Sequence, residues 1–203
     1  MKSVKNVMVD IETLGTTPDA CILQVGAVWW NSHGIHQGIS FNLSVSEQTK
    51  LGRKIDPQTV GWWMDDKVSA DVRKSVLERS DTVSLEDGLR RLNDYIRPTD
   101  NDSLVEVVVW ANPPQFDISI IRSAMEQVGI IPSWKHWQER DLRTLRNICK
   151  QLGIKFEEKN KEHHSALSDA RHQATEVIQL LDMLEIRTQQ TGRVYTPSTS
   201  SLG

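Results

Sequence analysis

Apolar and polar positions alternate, with lapses, over residues 4–12, and a denser apolar run covers 21–30 beyond a turn cluster at 15–19. A second turn at 31–34 leads into a looser alternation over 36–43. A period near two, bounded by Gly, Pro, Asn and Asp, predicts an antiparallel meander of three strands. The period then lengthens. Asp56 followed by Pro57 is an N-cap with proline in the first turn, opening a helix over 59–64, and 69–77 and 84–96 continue the helical pattern. Ser84 and Asp87 have capping-box spacing, and Pro98 stops that helix. Residues 104–110 form an unbroken, valine-rich apolar run, the signature of a strand covered on both faces. Pro113 and Pro114 end it. Helices are predicted over 116–128, closing at Gly129, over 141–152, closing at Gly153, and over 166–186, with Ala170, Ala174, Val177, Leu180, Leu181 and Leu184 on one face. From Arg187 the chain turns polar and is assigned to a flexible C-terminal tail, 187–203. A meander, then helices, then a buried strand between helices predicts one α/β domain, 1–186, with a mixed β-sheet flanked by helices.

Composition narrows the class. With 203 residues, 38% of them hydrophobic and 25% charged, the chain can bury a core without disulfides. Cys21 and Cys149 lack paired metal-ligand spacing and read as reduced thiols. No apolar run is long enough to span a bilayer and the first ten residues carry no signal-peptide pattern, so no membrane association and a cytoplasmic location are expected. The formal charge of −3 gives no bulk basicity for nucleic acid, but two bound divalent cations would reverse its sign.

Three segments carry chemistry. Asp10 and Glu12 lie two apart at the end of a strand and so share a face, and clustered carboxylate oxygens suit Mg²⁺ or Mn²⁺ better than zinc. Alone, that pair is a weak signal. The second segment runs from Asn112 through the double proline to Phe116 and Asp117, placing an acid in the first turn of a helix where the dipole favours it. Asn112 is expected to tie the turn and Phe116 to anchor it. The third, His164-Ser-Ala-Leu-Ser-Asp169-Ala170, is the most specific: its five fixed residue types arise by chance with probability on the order of 10⁻⁴. Ser165 is the expected N-cap, with Asp169 in the first turns and His164 just outside as a group titrating near neutrality.

In this order and at these separations, the segments resemble the DEDDh exonucleases of the RNase H-like superfamily, whose members include proofreading subunits, RNase T and oligoribonuclease. The resemblance spans 4–186. The middle of the chain, Thr59-Val-Gly-Trp62-Trp63 and Arg140-Asp141-Leu-Arg143-Thr144, looks most like the exonuclease A group of large bacteriophages and RNase T-like exoribonucleases. The resemblance implies an RNase H-like fold and 3′→5′ exonuclease activity releasing nucleoside 5′-monophosphates. It implies two divalent cations, Mg²⁺ or Mn²⁺, held by Asp10, Glu12, Asp117 and Asp169, with His164 as general base. It also places Thr13 and Leu14 against the terminal nucleotide, with Asn112 and Phe116 beside the substrate. Single-stranded DNA or RNA 3′ ends are the expected partners, DNA slightly ahead on the phage-like middle segment. A homodimer that lends basic residues across the interface stays open, as does a catalytically silent binding or proofreading-like subunit. Of Trp62 and Trp63, adjacent on a helix, at most one is expected to reach substrate. Arg140, Arg143 and Arg146, and separately Arg53 with Lys54, are candidate phosphate contacts weighed against ordinary solvated surface.

Overall fold

The computed structural model describes residues 4–31, 33–66, 68–98, 106–156 and 165–191, the last five as backbone only. The predicted meander forms. Strand β1 (Val4–Thr13) pairs antiparallel with β2 (Ile22–Asn31), and β2 pairs antiparallel with β4 (Ile39–Leu43). The third alternation is broken in two: β3 (Gly34–Ile35) pairs with β2, and the chain leaves the sheet before β4. β5 (Thr82–Val83) adds parallel to β4, β6 (Glu106–Ala111) parallel to β1, and β7 (Glu139–Asp141) parallel to β6. The order is β5-β4-β2-β1-β6-β7, with β3 beside β2: a mixed sheet with β1 and β6 near its centre.

Alternation along β1 sorts its side chains between two layers. Val7, Val9 and Ile11 join Val107, Val109 and Ala111 under helices α4 (Leu85–Ile96) and α5 (Asp117–Gln127). Met8, Val108 and Trp110 face α6 (Leu142–Gln151) and α7 (Ala166–Thr191). A third, smaller cluster holds Leu14, Cys21, Leu23 and Trp63, built around α2 (Pro57–Trp63) and α3 (Ala70–Leu77). Two of the predicted caps are present: the Asp56 carboxylate accepts from the N–H groups of Gln58 and Thr59, and the Ser84 hydroxyl from that of Asp87.

Several elements differ from expectation. Helix α1 (Val45–Lys50) and strands β5 and β7 depart from the predicted elements: six residues of helix are under two turns, and two or three of strand carry no readable period. Leu181, assigned to the buried face of α7, is 42% exposed, while Ala170, Ala174, Val177 and Leu180 are fully buried. Backbone helix continues to Thr191, five residues into the segment expected to be tail; residues 192–203 lie outside the described set. Among the described residues no helix is long and apolar enough to cross a membrane.

Candidate active site

On the α6/α7 side of β1, the apolar series ends at Met8 and the next two positions are Asp10 and Glu12. Pairing between β1 and β6 stops at Met8↔Trp110, so past that point the two parallel strands part and leave a crevice at their C-terminal ends. Asp117 opens α5 on the far bank of the crevice. Its Oδ1 accepts from the Ile11 N–H at 3.2 Å, a backbone donor that β6 no longer serves, and it is 3% exposed. Asp169 arrives from above, in the first turn of α7, its own N–H donating to the Ser165 carbonyl at 2.9 Å. Ligand oxygens of Asp10, Glu12 and Asp169 lie within 4.8 Å of one another. With Asp117 they line one cavity of about 580 Å³, shared with Ile11, Asn112, Phe116, Arg143 and Gln173.

Glycine explains how α7 comes so close. Gly26 on β2 sits opposite Asp10, and a Cβ built there would lie 2.1 Å from the Ala166 carbonyl carbon and 2.2 Å from the Leu167 nitrogen. The helix start rests on the bare backbone of the strand. Gln24, two residues earlier and opposite Glu12, pins it: its Oε1 accepts the Ala166 N–H at 2.9 Å while its Nε2 donates to Asn42. Gln173, one turn after Asp169, donates from Nε2 to Asp10 Oδ1 at 2.7 Å, and its Oε1 is buried without a partner. Arg146 on α6 donates to both carboxylate oxygens of the buried Glu176, at 2.6 Å for Nη2 to Oε2, and to Asn112 Oδ1 at 3.2 Å. One guanidinium thus joins α6, α7 and the turn that leads to Asp117.

Crowding four carboxylates away from water raises their proton affinity. Burial pushes Glu12 up to about 8, with Asp169 and Asp117 adding repulsion. Burial likewise lifts Asp117 to about 7, opposed by the N–H groups of Ile11 and Asn112 and by the charge of Arg143. Asp169 rises to about 7 from burial. Asp10 is raised well above the carboxylate range by burial first, then by Asp117, Glu12 and Asp169. Such a cluster holds protons near neutrality unless cations replace them, and an all-oxygen donor set is the kind that hard divalent cations take.

The four predicted acids therefore meet at one place. His164 lies outside the described residues. Asn112 ties the turn outward to Arg146 rather than within itself, and Phe116 packs partly buried against the α4/α5 core. Thr13 is buried, its hydroxyl donating to the Gly15 carbonyl, and Leu14 is 8% exposed inside the third cluster. A second cavity of about 410 Å³ continues past Glu12, lined by Thr13, Thr16, Asp56, Trp62 and Phe116 among others. Trp63 is buried, its Nε1 donating to the Thr13 carbonyl, whereas Trp62 meets it edge-on and stays 47% exposed at the cavity wall. Arg53 is no surface cation: it is 4% exposed and donates to the carbonyls of Ala20 and Pro18. Gly26, Gln24 and Gln173 escaped the sequence analysis. Gly26 carried a signal, a glycine inside a buried strand, which marks a close backbone approach. Gln173 carried one too, a polar residue one turn after Asp169 between Ala170 and Ala174 of the buried stripe.

Known proteins resemble the chain in sequence and in fold. A family model described as the 3′-5′ exoribonuclease Rv2179c-like domain matches residues 5–181. An exodeoxyribonuclease of Enterobacteria phage T4 is 23% identical over 159 residues, 68% of either chain. Among solved structures, E. coli ExoI in a complex with single-stranded DNA superposes with a TM-score of 0.62 at 14% identity, over 88% of this chain and 40% of that one. The nuclease domain of 3′hExo, a DEDDh family member bound to rAMP, superposes with a TM-score of 0.54 at 10% identity, over 88% and 92%. The chain thus spans well under half the length of ExoI, and the structural likenesses establish the fold, a mixed sheet flanked by helices of the RNase H-like exonuclease type. With the family model matched along most of its length, the chain belongs to the 3′-5′ exoribonuclease Rv2179c-like domain family.

Proposed function

We propose that the chain is a 3′→5′ exonuclease that releases nucleoside 5′-monophosphates from single-stranded nucleic acid, with DNA ahead of RNA. The observation that carries this reading is the convergence of Asp10, Glu12, Asp117 and Asp169 on one cavity where two parallel strands part. Their raised proton affinity and all-oxygen chemistry fit two divalent cations, Mg²⁺ or Mn²⁺, held by these four side chains. When bound, such ions neutralise phosphate charge and make water a better nucleophile. The protein's own part is positional. Gln173 fixes one oxygen of Asp10, the Ile11 N–H fixes one of Asp117, and the Gly26–Ala166 contact sets the height of Asp169 above the strand. His164, which precedes α7 in the chain, is assigned to accept the proton of the attacking water. The second cavity, with Thr13 and Trp62 in its wall, receives the terminal nucleoside.

RNA trimming is the second reading, favoured by the family's exoribonuclease description, as DNA is by the phage T4 relative. End-labelled single-stranded DNA and RNA of matched sequence, incubated with Mg²⁺ or Mn²⁺, decide between them. Shortening one nucleotide at a time from the 3′ end is expected, with none in chelator and none for Asp10→Ala. His164→Ala should lose roughly 10²–10⁴-fold, the range of a general base. Full activity in Asp10→Ala, or no shortening of either polymer by the wild type, overturns the proposal.

A further inference from the structure

A single strand carries a negative charge at every linkage, and a floor of four carboxylates needs cationic help to receive it. The three arginines clustered near α6 take separate roles in the fold. Arg140 turns back on its own loop, Nη1 donating to the carbonyls of Trp137 and Glu139 at 2.8 Å each. Arg146 is committed to Glu176 and Asn112. Arg143 lines the acidic cavity with its side chain exposed. Among the described residues its guanidinium makes no hydrogen bond or ion pair.

Its place in the helix makes that freedom informative. Arg143 is the second residue of α6, where the positive end of the helix dipole disfavours a cation. Asp141 makes the position rigid: it caps α6, accepting from the Arg143 N–H at 2.9 Å and the Thr144 hydroxyl at 2.7 Å. Pairing of β7 with β6, Ala111↔Asp141, sets this cap beside the crevice. The first turns of α5 and α7 reach the same cavity through Asp117 and Asp169, so side chains from three helix starts line it. An exposed guanidinium that feels Asp117 only through its charge, on a capped helix start beside two others, suits an anion, and its planar fork matches two oxygens of a phosphate.

We propose that Arg143 is a substrate-contacting residue, gripping a phosphodiester of the single strand whose 3′ end lies on Asp10, Glu12, Asp117 and Asp169. It rests on the exonuclease reading of that cavity. The test compares wild type, Arg143→Gln, Arg143→Lys and Arg140→Gln on a labelled single-stranded oligonucleotide across a range of salt. Arg143→Gln should lower kcat/KM by about ten- to hundredfold, the loss typical of a hydrogen bond to a charged group, chiefly through KM. Its plot of log kcat/KM against log salt should flatten by about 0.7, one phosphate contact on a single strand. Arg143→Lys should keep the slope and recover part of the rate, and Arg140→Gln should match wild type. Mg²⁺ affinity, read by calorimetry without nucleic acid, should survive Arg143→Gln, which separates substrate contact from damage to the acids. An uncharged methylphosphonate is then stepped through the three 3′-terminal linkages. At one linkage the penalty seen with wild type should vanish in Arg143→Gln. An unchanged salt slope with identical penalties at every linkage overturns the role of Arg143 while leaving the exonuclease reading intact. A wild-type chain that degrades no oligonucleotide overturns both.

Discussion

Gly26→Ala tests how the site is assembled rather than what it contains. The added methyl would meet the Ala166 carbonyl carbon at 2.1 Å and the Leu167 nitrogen at 2.2 Å, both backbone atoms that no rotamer change can move. Restoring even a tight 3.4 Å contact lifts the start of α7 by about 1.3 Å. Asp169 rides on that turn, so its carboxylate moves away from Asp10 and Glu12, and the Gln24–Ala166 hydrogen bond stretches with it. Overpacking of this kind costs about 1–3 kcal/mol, and a misplacement near 1 Å at a reacting centre costs about a hundredfold in rate. The expected result is a folded protein of lowered Tm that has lost about two orders of magnitude in kcat and binds Mg²⁺ more weakly by calorimetry. Gly61→Ala is the control. A Cβ there meets nothing within 4 Å on α2, so the substitution should add about 0.5–1 kcal/mol through helix propensity and leave Mg²⁺ affinity alone. Wild-type turnover and ion affinity in Gly26→Ala would refute the view that this contact sets the position of Asp169.

Three further outcomes are expected. Carboxylates whose folded pKa is raised, to about 8 for Glu12 and about 7 for Asp117 and Asp169, stabilise the fold only while protonated. Without metal, their contribution is complete below the ordinary carboxylate range and drains away as pH climbs toward 7–8. The gain in Tm on adding Mg²⁺ should therefore be larger at pH 8 than at pH 6, and an equal or smaller gain at pH 8 contradicts the clustering. Trp63→Ala should destabilise by about 3–5 kcal/mol in denaturant melts, as removal of a buried indole does, whereas Trp62→Ala should change stability little and raise KM. The reverse ranking would reassign the two. Arg146→Met leaves Glu176 buried without its cation, a loss of about 3–5 kcal/mol, and adding Glu176→Leu should recover most of it. No recovery in the double variant would mean that the pair is not the origin of the loss.

What the sequence showed depended on how local the signal was. Asp10 and Glu12 share a face because strand side chains alternate, and Asp169 follows a helix start because Ser165 marks one; both are readable from neighbours. The crevice was not readable, since it needs β6, some hundred residues away, to stop pairing at Met8. Gln24 and Gln173 act across the fold on Ala166 and Asp10, and no period or spacing in their own segments predicts those partners. Arg53 shows the opposite error, a charge that looked exposed in sequence but caps carbonyls inside the Ala20 turn. Similarly, Arg140, Arg143 and Arg146 are equivalent by spacing, and only tertiary neighbours distinguish them.

The bond between Asp117 and the Ile11 N–H bears on how such a site decays in evolution. Asp117 closes a gap in the sheet's own ladder, so replacing it by an aliphatic residue orphans a buried amide and charges the fold with the loss. Glu12 carries no such debt: among the described residues its carboxylate makes no hydrogen bond. A descendant that abandoned hydrolysis but kept its architecture would shed Glu12 early and retain Asp117 long after the chemistry had gone. A solitary aspartate at the start of α5 in a distant homologue is thus a fossil of the fold, and the acid at the end of β1 is the better witness to activity.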